Sequence, residues 1–266
     1  MLLPDYFEWV FVNADYDCQA AAGVSAVYPG PYLSFYNTPY TKQIADAHEF
    51  IEEVIEQDGP FDAIMGFSQG AALAASYLFK AQARVRAAGS SVSELGPAPF
   101  RLAMFICSSL PFSTDDSAGV DITTLYESGG DMITSDIAYW KSFARADRNG
   151  VRLPSSARMN CGLNGTLSDT DLDPTDRVFR YHPAVPDSPC GLQIPTVHVY
   201  GRNDPYRGQS MALEAFCRAA SHDPALPDMT YSYEHPGGHT IPTLEAVSRQ
   251  ISGLVLQAVT RSELMF

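Results

Sequence analysis

Apolar positions along the chain fall into two rhythms, one of period about 3.6 and one of short unbroken runs. Trp9-Val10-Phe11-Val12 is a short apolar and aromatic run and predicts a strand. Residues 13–39, rich in Gly, Pro and Tyr, read as a loop. From Lys42 to Asp58, Ile44, Ala47, His48, Ile51, Val54 and Ile55 recur at helical spacing, with Thr41 as the expected N-cap and Gly59-Pro60 as the stop. Phe61–Gly66 predicts a strand and the Ala-rich Gln69–Ala88 a helix. Arg101–Cys107, Pro195–Tyr200 and Met229–Tyr233 are three further runs of strand length. Helices are expected at Gln209–Ala220 and Thr243–Val259. Strands alternating with helices predict an α/β fold with a mostly parallel sheet covered on both faces.

Between Pro111 and Pro189 the periodicity fades into Gly, Pro, Asp and Ser. One helix is expected there, Ser135–Ala146, with Ile137, Trp140 and Phe143 on a common face. A long weakly patterned stretch inside a compact domain reads as a functional insertion. The chain is therefore taken as a single domain, 1–266, with a lid-like insertion at 111–189.

Composition narrows the function classes. The 266 residues are 45% hydrophobic and 18% charged, enough for a core without disulfide staples and unlike a disordered chain. Seventeen basic against 31 acidic residues give a formal charge of −14, which repels nucleic-acid backbones and anionic lipid. The start, MLLPDYFEWVFV, has no basic n-region and carries Asp5 and Glu8, so it does not read as a secretory signal. No run approaches the roughly 18 apolar residues of a membrane span. Cys18, Cys107, Cys161, Cys190 and Cys217 are scattered and odd in number, with no CxxC pair, which argues against a disulfide framework or a zinc site. With no signal peptide, Asn164-Gly165-Thr166 reads as a turn rather than a glycosylation site, and the location expected is cytoplasmic.

Gly66-Phe67-Ser68-Gln69-Gly70 is a G-x-S-x-G pattern. A strand ends at Gly66 and a small-residue helix starts just after Ser68, the strand–turn–helix that a nucleophile elbow needs. Glycines relieve crowding where the serine backbone is strained. Ala71, Ala72, Ala74 and Ala75 let the helix pack close. A serine hydroxyl needs a base, and the base an orienting carboxylate. Gly201-Arg202-Asn203-Asp204 and Gly237-Gly238-His239 follow the ends of later strands, where sites collect. Asp204 and His239 are thus the expected partners of Ser68.

The other histidines carry weaker signals. His48 reads as a packed histidine on the inner side of a helix and His198 lies within a strand, while His182 and His222 have no companions. His235 and His239 are four apart, but Pro236-Gly237-Gly238 breaks the helix that such a metal pair would use. No metal is expected.

The elbow, GRND and GGH together resemble an α/β-hydrolase. Val27-Tyr28-Pro29-Gly30-Pro31-Tyr32-Leu33-Ser34-Phe35-Tyr36, followed by a helix and FDAIMGFSQGA (61–71), resembles more particularly the fungal FSH-type serine hydrolase family, over about residues 8–110 and 190–258. That family includes esterases and thioesterases encoded with polyketide synthases, of the kind that releases the nonaketide portion of lovastatin. The resemblance implies a Ser68–Asp204–His239 triad and an enzyme in the cytosol with no cofactor, acting on an acyl ester or thioester. One departure is plain. Family members begin with a strand and a Leu-His-Gly type loop before the segment matching Trp9–Val12, and this sequence starts after both. The usual first strand, neighbour of the nucleophile strand, is therefore expected to be lacking. Of the two oxyanion donors, the Gln69 N–H follows from the elbow. The second has no visible source unless the Asn13–Cys18 loop supplies it.

Tyr28, Tyr32, Phe35 and Tyr36, with Tyr139 and Trp140 from the insertion, are expected to line an acyl pocket. The leading reading is a thioesterase or esterase that releases a polyketide chain from a synthase. A general carboxylesterase on small esters, and a catalytically impaired scaffold that binds a polyketide or a synthase, stay open beside it. An acyl-carrier domain is a partner implied by the family alone, since carrier domains are commonly acidic and a charge of −14 gives no steering toward one.

Overall fold

The computed structural model describes residues 3–21, 23–87, 100–114, 116–134, 136–147, 175–183, 192–218 and 229–265. Its centre is a four-stranded parallel sheet formed by β3 (Ala63–Phe67), β4 (Leu102–Ile106), β8 (Thr196–Gly201) and β9 (Thr230–His235), in the order β3-β4-β8-β9. Two short antiparallel sheets flank it. One pairs β1 (Tyr16–Asp17) with β2 (Leu33–Ser34), and the other orders β5 (Phe112–Ser113), β7 (Phe179–Arg180) and β6 (Val120–Asp121). The helices are α1 (Thr41–Asp58), α2 (Gln69–Ala87), α3 (Thr123–Glu127), α4 (Ile137–Asp147), α5 (Arg207–Arg218) and α6 (Glu245–Glu263).

Strand alternation sorts the core into two layers. Ala103 and Phe105 of β4 face one side, where α1, α2 and α5 cover them. Leu102, Met104 and Ile106 face the other, with Val197 and Val199 of β8 and with Val247, Ile251 and Val255 of α6. Every residue of β4 and β8 is buried, as a parallel sheet clad on both faces requires. Fully burying each Val, Leu or Phe stabilises by roughly 1.5–3 kcal/mol, so these central strands hold the sheet together.

Apart from Trp9–Val12, the expected helices and strands are found with bounds within four residues of those expected. Thr41 departs from expectation. Tyr40 is the N-cap of α1, and the Thr41 hydroxyl hydrogen-bonds Asp176 instead. Gly59 ends the helix, its N–H donating to the Ile55 carbonyl. Ala88, Ser135, Ala219 and Ala220, Cys161, Cys190, Asn164-Gly165-Thr166 and His222 lie outside the described residues.

Trp9–Val12 is not a strand. The segment is extended, and its alternation is visible: Phe7 stacks on Trp9 and Trp9 on Phe11, at centroid distances of 6.4 and 6.5 Å. No ladder forms there, and Phe11 is 83% exposed. Leu3 and Phe7 pack against the α6-side core. Among the described residues β3 pairs on one side only, with β4, so the strand leading to Ser68 is a sheet edge and Met65 stands 39% exposed.

Residues described between 111 and 189 are built into the main core. Phe112, Val120, Ile122, Leu125, Trp140, Val178 and Tyr181 share one cluster with α1 and α2. Two-residue strands leave no period for sequence to reveal. Arg180 anchors this region: its guanidinium donates to the Leu110 and Met132 carbonyls and to Gln209 Oε1, and lies over the rings of Phe112 and Trp140. Gln209 in turn donates to the Met132 and Ile133 carbonyls.

Two buried histidines set a pH dependence of stability. Ser76 Oγ donates to the Phe112 carbonyl, so it accepts from His48 Nε2–H at 2.9 Å. Burial, helped by Lys80 and Arg84, pushes His48 down to about 3, and burial pushes His198 down to about 4. Both stay neutral in the folded chain yet take up a proton below about pH 6.5 when it unfolds. Stability is therefore full above pH 6.5 and is lost as pH falls toward 4, by on the order of 2–3 kcal/mol per histidine. Urea unfolding at pH 7 and pH 4.5 checks this: His48→Gln is expected to narrow the difference between the two midpoints, and equal differences in variant and parent would contradict it.

Candidate active site

The site is assembled where parallel strands end. β3 turns into α2 through Ser68, whose φ of 54° lies in the left-handed region. A non-glycine residue held there costs about 1–3 kcal/mol and persists only where its surroundings fix it. Here the Ser68 N–H donates to the Ile106 carbonyl of β4, and the Ser68 carbonyl accepts from Ala72 N–H in the first turn of α2. A Cβ at Gly66 would run into the backbone of Gly70 and Ala71, so the strand-to-helix approach requires glycine. Small residues in this motif thus serve the turn that presents the hydroxyl.

Asp204 sits in the turn between β8 and α5, its carboxylate buried. Oδ1 accepts from the Tyr206 N–H at 2.7 Å. His239 follows β9. The two loops are laced together: Arg202 N–H donates to the His235 carbonyl, Asn203 N–H to the Gly237 carbonyl and Asn203 Nδ2 to the Pro236 carbonyl. Glu234 adds ion pairs to Arg202 at 2.8 Å and Arg207 at 2.6 Å. Gly201 is needed because a Cβ there would strike the Gly237 and Gly238 carbonyls. The GRND and GGH motifs therefore fix each other.

The three side chains meet. His239 Nε2 lies 2.8 Å from Ser68 Oγ, and Nδ1 lies 3.0 and 3.1 Å from the Asp204 carboxylate oxygens. The imidazole is held between the rings of Phe67 and Tyr206, at 5.1 and 5.2 Å. Burial alone would raise the Asp204 carboxyl, but hydrogen bonds from His239, the Tyr206 N–H and the Cys107 thiol hold it below the usual carboxylate range. It is ionised at neutral pH, as the orienting member of such a relay must be.

Gln69 opens α2, where the first N–H groups have no acceptor within the helix. Its side chain is used elsewhere: Oε1 accepts from the Phe35 N–H at 3.0 Å, and Nε2 donates to the Tyr36 carbonyl at 2.8 Å and to Ser34 Oγ at 3.0 Å. The residue after the serine thereby ties the 34–36 segment to the elbow. Phe35 lies 3.5 Å from where a Gly70 Cβ would stand. The Asn13–Cys18 loop joins the same assembly through the β1–β2 pair and the Cys18 N–H to the Tyr32 carbonyl.

Of the six expected pocket aromatics, Phe35 is held at the elbow, while Tyr36 is a correction: it is 2% exposed and packs in the core against Phe112. Tyr28 and Tyr32 contact each other, the Tyr32 hydroxyl donating to the Tyr28 carbonyl at 2.7 Å. The Tyr139 hydroxyl accepts from the Asp131 N–H. Trp140 is a correction. It has no exposed surface and packs in the core against Arg180 and His182, because its helix face is covered by the β5–β7–β6 side of the molecule. Such a ring cannot wall an open pocket.

Two neighbours of the triad escaped the sequence. Tyr206 comes two residues after Asp204, and Cys107 directly follows β4. A strand-end position was the available signal for Cys107, the same signal that marks Asp204 and His239. The ligand atoms of Cys107, Asp204 and His239 lie within 4.8 Å of one another, a donor set of the type that holds a soft cation. Each is already engaged in hydrogen bonds, however, and burial above all, with Asp204 beside it, pushes the thiol up to about 12. His235 Nδ1 accepts from the Gly237 N–H.

The family model described as "Serine hydrolase (FSH1)" matches residues 1–251. "Hydrolase FUB4" of Gibberella moniliformis is 29% identical over 97% of this chain and 89% of its own length. "Esterase alnB" of Emericella nidulans is 28% identical over 89% of this chain and 80% of its own. Among solved structures, a thermostable esterase from Pseudomonas putida is 17% identical, covers 86% of this chain and 63% of its own, and superposes with a TM-score of 0.42. The chain spans about three fifths of the length of the solved structures it matches.

Proposed function

The chain belongs to the serine hydrolase (FSH1) family, and from that premise we propose that it hydrolyses an acyl ester or thioester through Ser68, His239 and Asp204. The observation that carries this reading is the unbroken hydrogen-bonded line from Ser68 Oγ through both imidazole nitrogens to a buried carboxylate, ending on a strained elbow. In the first step Ser68 Oγ attacks the acyl carbonyl and its proton passes to His239 Nε2. Asp204 keeps Nδ1 protonated and stabilises the imidazolium. His239 then gives the proton to the leaving thiol or alcohol, leaving an acyl-Ser68 ester. Water, deprotonated by the same imidazole, cleaves that ester and restores the hydroxyl.

The tetrahedral oxyanion requires donors aimed at it. The Gln69 N–H is one, and a backbone N–H of the Asn13–Cys18 loop is the candidate for the second. Losing one such donor costs about 10²–10³ in turnover. Phe35, tied to the elbow by the Gln69 side chain, is proposed to line the acyl site, with Tyr28, Tyr32 and Tyr139.

The acyl group is proposed to be a polyketide released from its synthase, with a carrier-borne thioester as substrate and a cytoplasmic location. A protein named as an esterase and others named as hydrolases among the fungal relatives support acyl hydrolysis. No helix among the described residues is long and apolar enough to cross a membrane. Thioester preference is tested with a matched pair, the N-acetylcysteamine thioester and the ethyl ester of one polyketide-like acid. The expected kcat/KM for the thioester is at least about tenfold higher, a difference of about 1.4 kcal/mol in barrier. Equal or faster turnover of the oxygen ester would replace this reading with a general carboxylesterase. The open edge of β3 favours one other reading, a binding scaffold without turnover, and any Ser68-dependent hydrolysis of an activated ester excludes it.

A further inference from the structure

His235 closes β9, and its ring is buried, with 2% of its surface exposed, although no step of the proposed hydrolysis uses it. Its Nδ1 accepts from the Gly237 N–H at 3.2 Å. The ring lies against that peptide: a Cβ on Gly237 would stand 3.0 Å from Nδ1 and 3.2 Å from Cε1. An acceptor at Nδ1 leaves the ring proton on Nε2. That N–H is buried and has no acceptor among the described residues. A buried donor without a partner weakens the fold, so the ring is a poor choice for packing alone. Burial holds its affinity for a second proton below the ordinary histidine value, against the opposing pull of Asp204 and Glu234, so Nδ1 keeps its lone pair at neutral pH.

We infer that His235 is a positioning residue, its Nδ1 fixing the Gly237 peptide and through it the placement of His239 between Ser68 and Asp204. This rests on the triad reading above. Gly237 stands two residues before His239 and is held from both ends. Its N–H goes to the His235 ring, and its carbonyl accepts from the Asn203 N–H at 3.0 Å, next to Asp204 in the chain. The His235 carbonyl is itself tied to the Arg202 N–H, so the ring projects from a fixed point. After Gly237 the loop tightens through the Thr240 N–H to the Gly238 carbonyl at 2.9 Å. Gly237 and Gly238 carry no side chains that could hold the loop, so its peptide groups and the His235 ring must do so. The arrangement copies the turn that Asn and Asp make, in which a side-chain acceptor takes the N–H two residues on. Without that acceptor one of the two ties on Gly237 is lost. A misplacement of about 1 Å at a catalytic group costs about 10² in rate.

Wild type, His235→Asn and His235→Leu are compared in kcat and KM for p-nitrophenyl acetate at neutral pH, with urea unfolding of each and Ser68→Ala as reference. Asparagine offers an acceptor in the place of Nδ1, and leucine fills the space without one. Leucine is expected to lower kcat by roughly 10–10²-fold with KM within about twofold, and asparagine to retain kcat within about threefold of wild type. The rate of fluorophosphonate labelling at Ser68 should follow kcat across the three proteins. Stability should not rank them this way, since leucine removes the unpaired buried donor and asparagine introduces a smaller, polar side chain. A merely structural residue would instead lose activity in step with stability. A kcat for His235→Asn no higher than that for His235→Leu, whether both are kept or both lost, would overturn the inference. If His235→Leu does not fold, His235→Gln takes its place. Its amide stands one methylene farther out and cannot close the same turn, and activity equal to that of His235→Asn overturns the inference equally. Ser68→Ala keeps the two readings apart: hydrolysis that survives it defeats the triad itself, whatever the His235 variants do.

Discussion

Replacing Ser68 by alanine is expected to lower kcat for an activated ester by about 10⁶, to the level supported by binding and the oxyanion donors alone. The expectation follows from geometry at one atom. Oγ is the group that His239 Nε2 faces at 2.8 Å, and alanine leaves the imidazole no proton to take. The fold should be unaffected. What holds the elbow is backbone: the Ser68 N–H to Ile106, the Ser68 carbonyl to Ala72, and the close pass at Gly66. Alanine keeps each of these and the left-handed φ. Thermal unfolding should therefore stay within about 1 kcal/mol of the parent while turnover disappears. A variant that lost activity only through unfolding would not test the assignment, so both quantities are measured on one preparation.

Asp204→Asn is expected to cost about 10⁴ in kcat with KM little changed. The reason is the tautomer. Asp204 Oδ1 accepts from the Tyr206 N–H, and that bond holds the side-chain orientation. In the variant the amide oxygen keeps this bond, which turns the NH₂ group toward His239 Nδ1. An imidazole that accepts at Nδ1 carries its proton on Nε2 and cannot take one from Ser68. Loss of the negative charge also removes stabilisation of the imidazolium. Because the Asp204 carboxyl is held below the usual range, the loss should be nearly constant from mildly acidic to neutral pH. Steady-state kinetics at three pH values checks this, and a variant within tenfold of the parent would contradict the role given to Asp204.

The meeting of Ser68, His239 and Asp204 is legible because each sits in a short motif at the end of a strand, and strand ends are fixed by runs of four to six apolar residues. Ser68 was marked by flanking glycines and an alanine-rich helix, and Asp204 and His239 by glycines that let their loops touch. Where the sequence misled, the physical cause is tertiary. Trp9–Val12 has the composition of a strand, yet a strand needs an edge to pair with, and pairing is not written in four residues. Trp140 has the size and polarity of a pocket wall, but α4 turns it into the core against Arg180. The β5–β7–β6 sheet uses strands of two residues, too short for any period to register. Thr41 is a good cap by type but was drawn to Asp176, 135 residues away. Cys107 was invisible for another reason. A single cysteine at the end of an apolar run reads as one more small buried residue, and only the folded chain brings its sulfur beside Asp204, His239 and the Thr240 carbonyl.

The most direct measurement is labelling of the wild-type chain with a fluorophosphonate, followed by mass mapping of the modified peptide. One adduct is expected, on Ser68, abolished in Ser68→Ala and strongly slowed in Asp204→Asn. An adduct on another residue, or labelling that persists in Ser68→Ala, would contradict the assignment of Ser68 as the nucleophile.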